Sequence, residues 1–355
     1  MNTLKSKKKI DFSVLSSSRL ELMGFAALWI IFHHMYELDF SAAHPSTIGN
    51  IIFTLFSVIK PAGNVGVEIF LICSGFGLYY SFSKNSNILS FYKKRAIRIL
   101  PAVLIVSSIY YAFANIGIRE YFSSVLLIDY FTKGKTDFWY FALLISLYIL
   151  YPLIHKLVEK QKDSVVIGVV VFLIALGFVM AYILKLDLGI RYYAILRVPS
   201  FIIGVWFGKK SFEKKQFGFI WIPICMAVAV FCFALVSAMH FNRIPMSFTN
   251  SVYLYYFINI PFSVSISVIF AVLFNRLSLR IVKASLALCG TLSLELYLLF
   301  ERVTEICKVT INLHDLTNIS FYVAATAITF ALALILQAIC KNFTSEFTKY
   351  YKKLK

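Results

Sequence analysis

The sequence predicts an all-α membrane protein, a bundle of about ten transmembrane helices with both termini in the cytoplasm. Hydrophobic residues make up 60% of the 355 positions and charged residues 15%, whereas a soluble domain carries about 25% charged residues. The apolar residues form stretches long enough to cross a bilayer, and basic residues alternate between the connecting loops. This composition excludes a soluble enzyme, a nucleic-acid reader and a disordered protein.

Ten apolar segments have about the length of a membrane-spanning helix. They cover about 20–38, 64–83, 97–117, 138–155, 163–184, 193–208, 217–239, 251–274, 284–302 and 319–340. A further apolar stretch at 48–59 is short, and we expect it to be re-entrant or interfacial.

The orientation follows from the basic residues. Most of the 35 Lys and Arg fall in the two terminal segments and in every second loop, and such loops face the cytoplasm. This alternation requires an even number of spans. The predicted organisation is a basic cytoplasmic tail at 1–19, a membrane domain at 20–340 and a second basic tail at 341–355. We expect no cleavable signal peptide, so the first apolar segment is a signal anchor.

The six cysteines lie in or beside apolar segments without the clustered spacing of a zinc or disulfide framework. We interpret them as small buried hydrophobes and predict no metal site. We attribute the net charge of +18 to cytoplasmic loops, whose basic residues contact lipid headgroups. We expect no nucleic-acid partner.

Several ionisable residues fall inside the predicted spans, where charges are costly and mark a site or an internal pair. The orientation places residues of four spans in the outer half or near the middle of the membrane. These residues are His33, His34, Glu68, Arg197, Glu295, Glu301 and Arg302. A structural ion-pair network, such as Glu68 with Arg197, is the alternative to a functional site.

A second, basic cluster opens the third span on the predicted inner side. Arg95 and Arg98 are three residues apart and share a helix face, which suits bidentate binding of phosphate. An ordinary contact with lipid headgroups explains the same pattern, so the residues alone leave both interpretations open.

Together these segments resemble the acyltransferase-3 family of integral-membrane acyltransferases. The first span, residues 22–34, reads LMGFAALWIIFHH, similar to a Gly-x-Ala-hydrophobic run that ends in histidine. Residues 66–76 read GVEIFLICSGF, and residues 91–101 read FYKKRAIRILP. The later motifs are FWY at 138–140, YILYPLI at 148–154, RVPSFIIG at 197–204 and GTLSLELYL at 290–298. The motifs occur in the family's order.

Two positions depart from the family pattern. Met23 stands where the family often has arginine, and Phe300 stands where it has histidine. Arg19, one helical turn before Met23, is the candidate to replace the missing arginine.

The resemblance implies transfer of an acyl group, most simply acetyl, from cytoplasmic acyl-CoA to a hydroxyl of a surface polysaccharide or lipid-linked sugar. Acyl-CoA is then a co-substrate, and no bound cofactor is expected. Histidine suits the required general base. The candidate base is His34, with His33 as the alternative.

The remaining site residues take supporting roles in this hypothesis. Glu68 or Glu295 would orient the imidazole. Arg95, Arg98 and Arg19 would bind the phosphates of acyl-CoA. Arg197, Tyr297 and Trp139 are the candidates for binding the acceptor or the developing oxyanion.

Two other functions fit a ten-helix protein with charges near the midplane. One is a flippase or exporter of a glycan or its acylated intermediate, and the other is an accessory subunit of a glycan-synthesis complex. In each case we expect a multi-pass protein of a bacterial plasma membrane.

Overall fold

The computed structural model describes residues 9–36, 38, 47–135, 138–185, 194–241, 243–244, 248–310 and 318–353. This part of the chain is a helical bundle with one two-stranded sheet. In chain order the elements are β1 (Lys9–Asp11), α1 (Ser13–Ser17), α2 (Arg19–His33), α3 (Thr47–Ala62), α4 (Gly66–Lys84), α5 (Ile88–Phe113), α6 (Ile118–Val125), α7 (Ile128–Lys133), α8 (Trp139–Lys160), α9 (Asp163–Phe178), α10 (Val198–Phe212), β2 (Gln216–Gly218), α11 (Trp221–His240), α12 (Phe248–Arg276), α13 (Arg280–Thr291), α14 (Ser293–Thr310) and α15 (Asn318–Lys353).

Within the described residues, seven helices are long and apolar enough to cross a membrane. An eighth span results if α13 and α14, which are bent by 74° at Leu292, count as one. The protein is therefore an all-α, multi-pass membrane protein, and the count of ten spans stays a prediction. The stretch expected to be re-entrant or interfacial is helical and continuous with α4, because the helical run extends over Ile48–Lys84.

The other two predicted spans are shorter helices than expected. Helices α2 and α10 have 15 residues each, about 22 Å at 1.5 Å per residue, whereas the hydrocarbon core is about 30 Å thick. Helix α10 begins at Val198 rather than near 193, with Pro199 in its first turn, where a missing N–H costs no helical hydrogen bond.

The segments with many basic residues meet at one end of the bundle. Strand β1 pairs antiparallel with β2, Lys9 opposite Gly218. The Ser17 hydroxyl donates to Asn275 Oδ1 at 2.9 Å, and Lys209 Nζ donates to the Glu159 carbonyl at 2.9 Å. The N-terminal segment and three of the four predicted cytoplasmic loops thus share one face, as the alternation of charge requires. That this face is cytoplasmic stays a prediction.

The two segments predicted as tails contain regular structure. Phe12 packs on Phe207 and Phe217 at centroid distances of 5.6 and 4.9 Å, which anchors β1 and α1 to the bundle. At the other terminus α15 continues through the predicted boundary at 340 as far as Lys353.

Glycines allow the helices around the centre of the bundle to pack closely. A Cβ atom on Gly24 of α2 would lie 1.8 Å from the Leu286 carbonyl oxygen of α13, and one on Gly204 of α10 would lie 2.2 Å from the Ile72 carbonyl oxygen of α4. Such approach of backbones replaces hydrophobic burial as the basis of helix association in lipid. It holds α2 against α13 and α10 against α4, and α2, α4 and α13 each form part of the wall of the cavity described below.

The segment between α5 and α8 contains two short helices, α6 and α7, built around one buried carboxylate. Asp129 is 1% exposed and contacts Lys133 and Lys135 at 2.8 Å each, while Ser123 donates to it at 2.6 Å. Hydrogen bonds from Lys133 first, and then from Lys135 and Ser123, hold the pKa of Asp129 well below its usual range. This carboxylate therefore stays ionised far into the acid range and orders the segment.

Candidate active site

A cavity of about 600 Å³ runs along α2 and is lined by six parts of the bundle. Arg19 lines it at one end of α2 and His34 at the other, a separation of about 22 Å along the helix. The walls come from α2, α4, α5, α8, the break between α13 and α14, and α15. The cavity is therefore long, with chemically different ends.

The end at Arg19 carries four cationic side chains, from Arg19, Arg95, Arg98 and Lys341. Arg95 and Arg98 are on one face of α5, as their spacing predicts. The guanidinium of Arg19 lies against Gly77, where a Cβ atom would be 2.3 Å from Arg19 Nη1. Glycine at position 77 therefore leaves space for Arg19, which we expect to take the place of the family's arginine that is missing at position 23.

The same end holds the helix break. The Thr291 carbonyl, left without a helical partner at the end of α13, accepts hydrogen bonds from Gln337 Nε2 at 2.8 Å and Arg98 Nη2 at 3.4 Å. Arg98 also contacts Glu295 at 3.5 Å, and Lys341 donates to Gln337 Oε1 at 2.8 Å. These contacts link the two halves of the broken helix and orient the cationic groups of Arg98 and Lys341 beside the cavity.

At the opposite end His34 contacts acceptors through both ring nitrogens. Nδ1 lies 2.8 Å from the Ile30 carbonyl, and Nε2 lies 3.3 Å from Glu301 Oε1. A carbonyl can only accept, so Nδ1 carries a proton and the lone pair of the neutral ring is on Nε2. A proton taken up by Nε2 would be stabilised by the negative charge of the nearby Glu301 carboxylate.

The alternative base, His33, has a different environment. Its Nδ1 donates to the Lys60 carbonyl at 3.0 Å, and its Cβ lies against the position that a Cβ on Gly63 would take. Among the described residues that line the cavity, His34 is present and His33 is not.

Glu68 and Arg197 contact each other rather than the cavity. Arg197 Nη1 lies 2.9 Å from Glu68 Oε1 with both side chains buried. Arg197 Nη2 donates to Asn64 Oδ1 at 2.8 Å, and its guanidinium lies over the rings of Trp139 and Tyr256, at 5.0 and 4.8 Å. This geometry is that of the structural ion pair which the sequence left as the alternative.

The acidic neighbour of His34 thus differs from both candidates. Glu68 pairs with Arg197, and Glu295 pairs with Arg98 at the opposite end of the cavity. The reason is position along the helix, since Glu301 is six residues, about 9 Å, beyond Glu295 on α14. Its predicted depth in the membrane, which is similar to that of His34, is the signal that points to Glu301.

Of the ten predicted site residues, six line one cavity. They are Arg19, His34, Arg95, Arg98, Trp139 and Tyr297. Two further residues that line the cavity, Gln337 and Lys341, are not among the predicted site residues, and Lys341 falls in the predicted cytoplasmic tail. The Tyr297 ring packs edge-on against Tyr140 at 5.0 Å, beside Trp139.

All six cysteines are buried. Among the residues that the structure describes, no three His, Cys, Asp or Glu side chains converge as metal ligands would.

Comparison with known proteins supports the resemblance. A family model described as an acyltransferase domain matches residues 22–338, which includes every residue that lines the cavity except Arg19, Leu20 and Lys341. A protein of Acidianus two-tailed virus named "Putative acetyltransferase ORF330" is 31% identical over 163 residues, 42% of this chain and 44% of that protein. This chain therefore aligns with less than half the length of that relative. No solved structure matches. The family match spans nearly the whole chain, and the protein therefore belongs to the acyltransferase-3 family of integral-membrane acyltransferases.

Proposed function

We propose that the protein transfers an acyl group, acetyl in the simplest case, from acyl-CoA to a hydroxyl of a surface polysaccharide or lipid-linked sugar. The observation that carries this proposal is one long cavity with a cluster of cations at one end and His34 with Glu301 at the other. The family supports acyl transfer in general, and the donor and acceptor are part of the proposal.

The cationic end suits the donor. Coenzyme A carries several phosphates joined to a long, narrow thiol arm. Arg19, Arg95 and Arg98 present planar guanidinium groups, which bind phosphate in a bidentate manner, and Lys341 adds a fourth positive charge. Phosphates bound there leave the arm free to extend along α2, so that the thioester reaches the His34 end.

The chemistry at His34 is a single acyl transfer. The acceptor oxygen attacks the thioester carbon as its proton moves to Nε2, and the C–S bond breaks. The coenzyme A thiolate that leaves takes up the proton from Nε2, which returns the imidazole to its neutral form. The Ile30 carbonyl keeps the lone pair of the neutral ring on Nε2. Glu301, 3.3 Å away, stabilises the imidazolium that forms.

The aromatic wall of the cavity suits a sugar. Trp139, Tyr140 and Tyr297 line the cavity, and such rings offer apolar faces with polar edges. One face of Trp139 is covered by the Arg197 guanidinium. We therefore propose that Arg197, paired with Glu68, supports the aromatic wall rather than the oxyanion.

The test compares the envelope glycans of cells that carry the wild-type protein, His34→Ala or the control His240→Ala. His240 is an exposed histidine on α11 that does not line the cavity. Proton NMR of the purified glycans, with membrane levels of each protein measured in parallel, reports O-acetyl groups. We expect acetyl signals for the wild type and the control and none for His34→Ala. Equal signals from all three would contradict His34 as the base, and glycans without acyl groups in every case would contradict the reaction.

The donor is tested separately by binding of acetyl-CoA to the purified protein. We expect Arg95→Gln with Arg98→Gln to weaken binding, while Arg280→Gln, an exposed arginine at the start of α13, leaves it unchanged. An unchanged affinity of the double variant for acetyl-CoA would contradict this role and would favour contact of both arginines with lipid headgroups.

One observation favours glycan export as a second candidate. The break between α13 and α14 lines the cavity, and discontinuous helices of this kind form the binding sites of many transporters. Export predicts that loss of the protein lowers the amount of surface glycan, whereas acyl transfer predicts the same amount without acyl groups.

A further inference from the structure

The carboxylate of Glu301 is shared between two neighbours. Its Oε1 lies 3.3 Å from His34 Nε2, and its Oε2 lies 3.4 Å from Arg302 Nη1. Glu301 itself is 43% exposed, whereas Arg302 is only 13% exposed. An exposed glutamate samples several rotamers, so a fixed contact with His34 requires a second group to hold it.

Arg302 is the more firmly held of the two adjacent residues. Its guanidinium lies 5.3 Å from the ring centre of Tyr110 on α5 and 5.5 Å from that of Phe138, which precedes α8. Both distances are within the range of attractive cation–π contacts. A cavity of about 10 Å³ adjoins this pair of rings and is lined by Arg302, Ser107 and Tyr297. Contacts from α5 and from the start of α8 therefore fix the guanidinium.

We propose that Arg302 is a positioning residue that holds the Glu301 carboxylate against His34 Nε2. This inference rests on the proposed function, in which His34 accepts the proton of the acceptor hydroxyl. With one carboxylate oxygen on Arg302 and the other on His34, the plane of the carboxylate is set from both sides. Removal of the guanidinium releases Glu301 to solvent and leaves the imidazolium without a fixed counter-charge.

The experiment uses the full-length protein in proteoliposomes, with acetyl-CoA as donor and the envelope glycan fraction as acceptor, and follows release of the coenzyme A thiol. The variants are Arg302→Ala and Arg302→Lys. The control is Arg119→Ala, an exposed arginine on α6. Methylguanidinium is then added to each variant, with urea as the uncharged analogue of similar shape.

For Arg302→Ala we expect kcat to fall by up to about 100-fold, the loss that a 1 Å misplacement can cause, with the KM for acetyl-CoA unchanged. Arg302→Lys keeps the charge without the fork of donors and should retain more activity. Methylguanidinium should fill the slot between Tyr110 and Phe138 and restore part of the rate in Arg302→Ala, while urea and the Arg119 control show no such recovery.

Two results would overturn this assignment. One is a rate for Arg302→Ala equal to that of the wild type. The other is a loss of activity in Arg302→Ala that methylguanidinium does not reverse, that is equal in Arg302→Lys and that is accompanied by a lower melting temperature. That combination is expected of a residue that is needed only for folding. Absence of transfer by the wild-type protein would instead remove the proposed function itself, and the inference with it.

Discussion

Replacement of Glu301 by glutamine tests the contact with His34 directly, since glutamine keeps the shape and removes the charge. At 3.3 Å two unit charges attract by about 1.3 kcal/mol in bulk water and by about 5 kcal/mol at an effective dielectric constant of about 20. His34 is 24% and Glu301 43% exposed, so solvent screening keeps the value near the lower limit. We take about 1 to 2 kcal/mol, which corresponds to a rate about 5 to 30 times lower.

The assay measures kcat and KM for acetyl-CoA with Glu301→Gln and with Glu305→Gln, an exposed glutamate one turn further along α14. Because the contact forms fully only when His34 gains a proton, kcat should fall in the first variant with little change in KM. Wild-type kcat in Glu301→Gln, or an equal loss in both variants, would refute the assignment of Glu301 as the partner of His34.

Three further predictions concern the scaffold. Gly24→Ala should lower the melting temperature, because overpacking against a backbone oxygen costs about 1–3 kcal/mol, whereas Gly168→Ala, with nothing within 4 Å of the new Cβ, should be neutral or stabilising. Glu68→Gln should destabilise the protein by about 3–5 kcal/mol, because the buried Arg197 loses the carboxylate that balances its charge. Thermal melting tests this prediction: replacement of both residues by methionine should cost less than Glu68→Gln alone, and an equal loss would contradict it. Asp129→Asn should speed amide hydrogen exchange in 118–133 at neutral pH. The pKa of Asp129 in the folded protein is depressed. The stabilising effect of its carboxylate in the wild type is therefore complete above the ordinary carboxyl pKa of about 4 and is lost only as the pH falls below that value. Protection of the wild-type amides from exchange that declines already between pH 7 and pH 5 would contradict the argument.

The sequence predicts the membrane helices well because one property, a long apolar stretch, decides them. Segments such as 138–155 and 319–340 correspond to α8 and α15. Prediction fails where the helix end depends on neighbouring elements. Helix α2 ends at His33, before the predicted boundary at 38. Strand β1 pairs with β2, and the adjacent Phe12 packs on Phe207 and Phe217, which are distant in the sequence.

Residue type and depth in the membrane predict which side chains lie at the site, but they do not decide which of these side chains pair with each other. Spacing alone places Arg95 and Arg98 together, and both line the cavity. Pairing of Glu68 with Arg197 and of Glu295 with Arg98 depends on how α4, α10, α5 and α14 are rotated against each other. A single sequence carries no signal for such rotations, so Glu68 and Glu295 are the predicted partners of His34, whereas the packing places Glu301 beside it.

The two departures from the family pattern acquire a common explanation from the cavity. Met23 and Phe300 both line it, so the missing arginine and histidine are losses from the site itself. In each case an ionisable residue close in sequence lines the same cavity, namely Arg19 four residues before Met23, and Glu301 directly after Phe300. Gly77 makes the first replacement possible by leaving space for the guanidinium, and the contact of Glu301 with His34 gives the second a chemical role. If these are true replacements, then Gly77→Ala should weaken acetyl-CoA binding although residue 77 carries no functional group, because the added methyl displaces Arg19.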